Sequence, residues 1–593
     1  MTTTSGTSGT SGTSGTSGTS GTTVHLATAR LRTLTRQIGG DALGRALRLP
    51  RATSDYTVNR VDVPMRDGIR LVADHYQPTS PSPAGTLLVR GPYGRKFPFS
   101  LVFARLYATR GYHVVLQSVR GTFGSGGVFE PMVNEADDGA DTVVWLREQP
   151  WFTGRFATVG LSYLGFTQWA LLRDPPPELA AAVIAVGPHD FNASVWGTGS
   201  FAVNDFLGWS DLVSRQEEPG LLKAGIRQVR APQRVAQALA EVPVGTAARR
   251  LLGTGAPWFE SWAEHPEQDD PFWNRLRFPE ALDRVEVPVL LLGGWQDIFL
   301  RQTLQQYAHL RKRGVDVALT VGPWTHAQML TKGLSITTRE SLDWLDTHLG
   351  GGRALRRPSR VHVFVTGQGW RNLPDWPPAT TDRELHLRPG RYLGETAPSD
   401  LTGVAPATFR YDPADPTPTV GGPLLSANGG YSDDTRLALR DDTLAFTSST
   451  LTEDVCVYGN PVLELVHSSD NPHADLFVRV SEVDAKGRSR NVSEAYRRLD
   501  QPKKTKRAKR TVSIELDGIA HRFQAGSRIR LLIAGGWSPR YARNLGTDEP
   551  VLTGLQLKPT IHTVHYGKSR LRLPVGPADL SADRVADPDS DLG

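Results

Sequence analysis

The sequence of 593 residues is short of several things, and each shortage excludes a class. It has one cysteine, Cys456, so no intrachain disulfide and no thiolate metal cluster can form. That rules out a small stapled secreted scaffold. No run reaches the roughly 20 apolar residues that a membrane span needs. The N-terminus has no basic segment followed by an apolar one, so no secretory leader is visible, and the cytoplasm is the default compartment. No strong charge excess exists either: the net charge of +6 is spread thinly over the chain. Nucleic-acid binders concentrate basic charge on one face, so no nucleic-acid partner is expected. His-Asp pairs such as His189-Asp190 lack metal-ligand spacing, and neither a metal nor a cofactor is expected.

What is present is a globular composition, 39% hydrophobic, with enough length for more than one domain. Thr4 to Gly21 are six Thr-Ser-Gly copies, a polar low-complexity tail. A basic amphipathic helix carrying Leu31, Leu34, Ile38, Leu43 and Leu47 is expected to pack on the body. From Tyr56 onward, short apolar runs alternate with helical stretches. Gly85–Arg90, Gly111–Gln117, Phe156–Gly160, Ala181–Val186, Val287–Gly293 and Asp316–Val321 read as buried strands. Glu135–Glu148 and Ser341–Leu349 read as helices. This alternation predicts a mostly parallel sheet covered on both faces. The strand signal lapses from about Asp190 to Val287, where Leu, Ala, Arg, Glu and Trp recur at helical spacing. Beyond Pro374–Pro378 short alternating strands follow one another, which predicts an all-β sandwich, preferably a jelly roll. The expected order is therefore a tail with one helix (1–50), an α/β core (51–189), a helical cap (190–287), the rest of the core (288–378), a jelly roll (379–577) and a loose tail (578–593).

Gly160-Leu-Ser-Tyr-Leu-Gly165 follows a strand and precedes a helical run. A nucleophile elbow needs that setting. The usual pattern is Gly-x-Ser-x-Gly, whereas here the second glycine comes one place late. Alone, the motif reads equally as a glycine-containing turn with a bystander serine. Gly293-Gly-Trp-Gln-Asp297 and Gly322-Pro-Trp-Thr-His326 add weight, because each ends just past a buried strand. Open α/β sheets build their sites at that edge. The chain order Ser162, Asp297, His326 is that of α/β-hydrolases. His326 would accept the serine proton and Asp297 would orient the ring. The attack builds charge on a carbonyl oxygen, so two donors are needed. The Tyr163 amide is the first. The second should come from the loop Gly91-Pro-Tyr93-Gly-Arg, where Tyr93 is either that donor or a packed aromatic.

These motifs, with Arg90-Gly-Pro-Tyr93, Glu135-Ala-Asp-Asp-Gly139, Tyr411-Asp-Pro-Ala-Asp-Pro416 and Ser538-Pro-Arg-Tyr-Ala-Arg-Asn544, resemble the CocE/NonD hydrolases, the bacterial cocaine esterase group. Relatives of that group include the Xaa-Pro dipeptidyl-peptidases and the α-amino-acid ester hydrolases. The late glycine is the family's own form. The resemblance implies an α/β-hydrolase core with an inserted helical cap and a C-terminal all-β jelly roll. It implies Tyr93 as the hydroxyl donor beside the Tyr163 amide, and Trp196, Trp209 and Phe299 as walls of an acyl pocket. The alternative for those rings is the core of the cap. The amino-acid ester hydrolases carry amine-binding acids just after the triad aspartate, where this chain has Phe299 and Leu300, and another where it has Trp196. A neutral small-molecule ester is therefore the expected substrate. An Xaa-Pro dipeptidyl-peptidase or other amide hydrolase with the same triad is the alternative, and a non-catalytic binding protein is the alternative of another class. The resemblance and an exposed sandwich face point to a homodimer. Ser118 replaces the family's common aspartate before Arg120, which is expected to alter a structural contact. Lys503–Arg510 is read as a solvated basic loop, and the sequon Asn491-Val-Ser493 as irrelevant without secretion.

Overall fold

Near-continuous apolar runs belong to strands buried on both faces, and five of these strands are buried at every position. In the computed structural model, which describes residues 42–218, 221–350, 357, 359–499, 509–578 and 580, they form the middle of one ten-stranded sheet. Its strands are β1 (Tyr56–Pro64), β2 (Arg70–Pro78), β3 (Gly85–Gly91), β4 (Tyr112–Ser118), β5 (Phe156–Leu161), β6 (Leu179–Ala185), β7 (Val289–Gln296), β8 (Val317–Thr325), β9 (Val361–Val365) and β10 (Gly369–Leu373). The spatial order is β1-β2-β4-β3-β5-β6-β7-β8-β9-β10. Neighbours from β4 through β9 run parallel, while β1, β2 and β10 add antiparallel edges. Parallel order puts the C-terminal ends of β3, β5, β7 and β8 on one rim, and Tyr93, Ser162, Asp297 and His326 follow those ends.

Between β6 and β7 the chain leaves the sheet for a run of helices, from Phe191–Trp196 to Pro279–Arg284. These supply the cap that the lapse of strand signal predicts. After β10 the chain becomes all-β. Its strands from Thr381 onward join one twelve-stranded sheet around a second apolar core that includes Phe446, Leu463, Phe523 and Ile533. The last strand, Thr560–Gly576, pairs with Thr381–Arg388, Ala407–Tyr411, Val455–Gly459 and Val462–Ser469. Two main-chain bonds through Thr366, to Ala520 O and from Arg522 N–H (both 2.9 Å), tie this domain to the sheet beyond β9.

The α/β core with an inserted cap and an all-β C-terminal domain is the expected fold class. Some boundaries differ. The helix expected at Ser341 begins at Leu334, because Ile336, Thr337 and Thr338 already lie buried. The helical run expected after Gly165 begins at Tyr163, inside the motif. Of the expected N-terminal helix, Leu43 and Leu47 pack against the body, and residues 1–41 lie outside the described residues. So does the basic run up to residue 508, and the tail from 581. Ser118 is buried and bonds the Arg95 guanidinium, which also holds Asp74 at 3.1 Å, so the Tyr93 loop is anchored there.

Two predictions come from this packing. A Cβ at Gly165 would stand 2.7 Å from the Gly187 Cα, so Gly165→Ala must push the helix after Ser162 away from β6. Urea unfolding should show a loss of about 1–3 kcal/mol. The second concerns acid. His75 is buried against Trp151 (ring centroids 3.9 Å) and bonds His113 at 2.9 Å. Burial, with the neighbouring His113, pushes its pKa down to about 4. The folded state keeps this ring neutral while the unfolded chain protonates it near 6.5, so its stability contribution is full above pH 6.5 and lost as pH falls towards 4. Melting temperature should decline over that window, and less steeply in His75→Gln.

Candidate active site

The Ser162 backbone lies at φ 62° and ψ −121°, between β5 and the helix Tyr163–Leu171. A side-chain-bearing residue holds such a conformation only when its surroundings impose it, at about 1–3 kcal/mol. The surroundings are glycines. A Cβ at Gly160 would meet the Leu164 Cβ and carbonyl oxygen at 2.5 Å, and one at Gly165 would meet Gly187. Leu164 stands where the common pattern has glycine. Its side chain lies over Gly91, where a Cβ would come within 2.4 Å of it. The late glycine thus has a physical reason: room at the second position comes from Gly91 on β3, and the close approach falls to Gly165 against Gly187. The Ser162 N–H donates to Ala185 O at 2.9 Å, and its carbonyl accepts from Gly165 and Phe166.

Asp297 follows β7 and His326 follows β8, and Gly294 lets these strand ends close together. A Cβ there would stand 2.3 Å from Trp324 O. Asp297 Oδ2 lies 2.6 Å from His326 Nδ1, and its Oδ1 accepts the Phe299 N–H at 2.7 Å. The carboxylate is fully buried, with both oxygens engaged. An ionised carboxylate only accepts, so the facing Nδ1 carries the proton and the neutral ring keeps its lone pair on Nε2. Such a pair can take a proton from a hydroxyl and hold the resulting imidazolium. The Phe299 ring meets that of His326 edge-on at 5.4 Å.

Tyr93 stacks on Phe99 with ring centroids 5.1 Å apart, and its buried hydroxyl lies near Ser162. The Trp209 indole N–H donates to the same hydroxyl at 3.1 Å. Burial pushes the phenol pKa up, so Tyr93 stays a proton donor. The Tyr163 N–H is the first of its helix, one of the main-chain donors that no helical carbonyl satisfies. Its side chain is held by buried partners. The hydroxyl donates to Glu135 Oε1 at 2.7 Å and accepts the Met132 N–H at 2.9 Å. Glu135 is buried, which pushes its pKa up, and it pairs with Arg90 at 3.1 Å. Arg90 also donates to Gln117 at 2.7 Å and to the Glu135 carbonyl at 2.8 Å.

Ser162, Asp297, His326, Tyr93 and Tyr163 therefore gather at one rim. Phe299 and Trp209 stand beside them. Trp196 lies deeper in the cap, buried, stacked on Phe201, and donates to Trp262 O at 2.8 Å. Trp262 in turn lies 5.9 Å from Trp209, centroid to centroid. The Arg90–Glu135 support carries no role in the sequence reading. Its signal was a charged residue closing the apolar run Leu87-Leu88-Val89, which demands a buried partner. Asn491, the sequon residue, is buried: its amide donates to Gln296 Oε1 at 3.3 Å and accepts the Ser432 N–H at 2.6 Å. It braces the residue before Asp297 against the C-terminal domain. Among the described residues no group of three or more His, Cys, Asp or Glu side chains is placed to hold a metal, and no helix is long and apolar enough to cross a membrane.

Known proteins share this arrangement of domains. The family model of the X-Pro dipeptidyl-peptidase (S15 family) matches residues 67–328, and that of the X-Pro dipeptidyl-peptidase C-terminal non-catalytic domain matches residues 354–572. The cocaine esterase of Rhodococcus sp. (strain MB1 Bresler) is 31% identical over 88% of this chain and 99% of its own length. Among solved structures, an aminopeptidase from a marine sediment Thaumarchaeota archaeon superposes with a TM-score of 0.75 at 23% identity, covering 89% of this chain and 98% of its own. An α-amino-acid ester hydrolase gives 0.74 at 23% identity, over 88% and 97%. Those two likenesses concern the fold, whereas the identity to the esterase extends along nearly the whole chain. The chain belongs to the cocaine esterase (CocE/NonD) family of serine hydrolases, with the two-part architecture of the S15 X-Pro dipeptidyl-peptidases.

Proposed function

We propose that the protein cleaves carboxylic esters through an acyl-enzyme on Ser162. The observation that carries this reading is the 2.6 Å Asp297–His326 bond, set on the rim where Ser162 is held in its left-handed turn beside the Tyr93 hydroxyl. Ser162 Oγ attacks the ester carbonyl while His326 Nε2 takes its proton. The new C–O bond pushes charge onto the carbonyl oxygen, which meets the Tyr93 hydroxyl and the Tyr163 amide. Collapse of this intermediate breaks the bond to the alcohol, and His326 returns the proton to the leaving oxygen. Water, deprotonated by the same nitrogen, then frees the acid and restores Ser162.

The acyl group is neutral in this reading. Phe299 and Trp209 stand beside the reacting groups, and Trp196 backs them through Trp262. Aromatic walls favour apolar or flat acyl groups through burial and stacking. Leu300 offers no charge to a substrate amine. Asp205 on the cap is buried, which pushes its pKa up; it accepts the Leu425 N–H at 2.9 Å and faces Arg540, so it is already engaged within the protein. A second reading, an Xaa-Pro dipeptidyl-peptidase, has one specific support in the S15 family match.

A panel of p-nitrophenyl esters beside Ala-Pro-p-nitroanilide separates the two. Esters should turn over faster, and rapid anilide release with slow ester turnover would reverse the assignment. Ser162→Ala should lower kcat by roughly 10⁴-fold or more, and Asp297→Asn by about 10⁴-fold. Tyr93→Phe, which removes one oxyanion donor, should lower it by about 10²–10³-fold. A fluorophosphonate should label Ser162, as read by mass spectrometry of the labelled peptide.

A further inference from the structure

Trp209 stands on the cap helix Val203–Ser214, yet its indole N–H ends on the core, 3.1 Å from the Tyr93 hydroxyl oxygen. An indole N–H can only donate, so in this contact the phenol oxygen must accept. That phenol has a single proton. With its oxygen accepting from Trp209, that proton is directed away from the indole and is left for an acceptor in the site. A hydroxyl that accepts one hydrogen bond is polarised into a stronger donor of the next. The same indole lies nearly parallel to the Tyr163 ring, at 13° and 6.2 Å between centroids. One side chain of the cap therefore bonds Tyr93 and lies alongside the Tyr163 ring. The turn after this helix reaches the core as well: Gln216 donates to Pro92 O in the Tyr93 loop at 2.7 Å, and Glu217 accepts the Phe123 N–H in the segment after β4 at 2.8 Å.

We infer that Trp209 is a positioning residue of the oxyanion hole, fixing the direction of the Tyr93 proton, so that docking of the cap completes the catalytic geometry of the core. This goes beyond a pocket wall and rests on the esterase reading, in which Tyr93 meets the oxyanion. A wall acts through contact with the acyl group. A positioning N–H acts through Tyr93 alone and has no effect once the phenol is gone.

Trp209→Phe keeps an aromatic face and removes the N–H. For a p-nitrophenyl ester, kcat should fall about 10-fold with KM within about twofold, and in a Tyr93→Phe background the same change should cost less than about twofold. Full-chain protein with 3-benzothienylalanine at position 209, which keeps the bicyclic shape and lacks the N–H, should reproduce the loss and decides the matter if Trp209→Phe does not fold. Equal losses in both backgrounds, a rise in KM with kcat kept, or full activity with benzothienylalanine would overturn the inference while leaving the esterase reading intact. Unchanged turnover in Ser162→Ala and Tyr93→Phe would overturn the esterase reading and this inference with it.

Discussion

Ser162 sits in a left-handed turn that an L-residue does not choose for itself. The constraint that holds it there is contact between the first turn of the following helix and the ends of β3 and β6. Gly165 touches Gly187 backbone to backbone, and Leu164 fills the space left by Gly91 and Gly160. A methyl group at any of these glycines would need room that packed strands cannot give. Everything else in the site is placed relative to that turn. The Tyr163 amide emerges from it, and the parallel sheet brings the ends of β7 and β8 to the same rim.

Buried charge is the second organising problem. A carboxylate removed from water is tolerable only when its oxygens find donors. Asp297 has both oxygens bonded, to His326 and to the Phe299 N–H. Glu135 divides its oxygens between Tyr163 and Arg90. The C-terminal domain handles its charges in the same way, with Arg479 fully buried between Glu494 and Asp434 and laid over the Trp537 ring at 4.5 Å. Arg540 joins Glu494 from the segment that faces the cap. These networks leave the charged groups few alternative arrangements, which suits a site whose reaction depends on preorganised donors.

The rim is not built by the core alone. Asn491 of the C-terminal domain bonds Gln296, directly before Asp297, and Trp209 and Gln216 of the cap reach the Tyr93 loop. Three stretches far apart in the chain thus share one small volume. Each contributes hydrogen bonds that exist only when the others are docked.

Much of this was legible in the residues themselves. Apolar runs of five to seven residues bury on both faces whatever their neighbours, so the strands of the sheet were readable from local pattern. Ser162, Asp297 and His326 could be singled out because each follows such a run, and parallel strands carry their C-terminal ends to a common edge. Other features depend on tertiary contact and leave no local trace. Spacing within a helical insertion does not say which rings face the core, so Trp209 beside Tyr93 and Trp196 against Phe201 read alike in sequence. The sequon at Asn491 reads as a surface motif, yet its amide is buried because Gln296 and the Ser432 N–H come from segments roughly 200 and 60 residues away. The late glycine after Ser162 is a local pattern, but its reason lies on β3 and β6. Sequence alone determined the strands of the sheet and which side chains follow their ends, since burial periodicity is local. Only the tertiary structure decided what holds them in register, since hydrogen bonds and close approaches between distant segments arise when the packed elements meet.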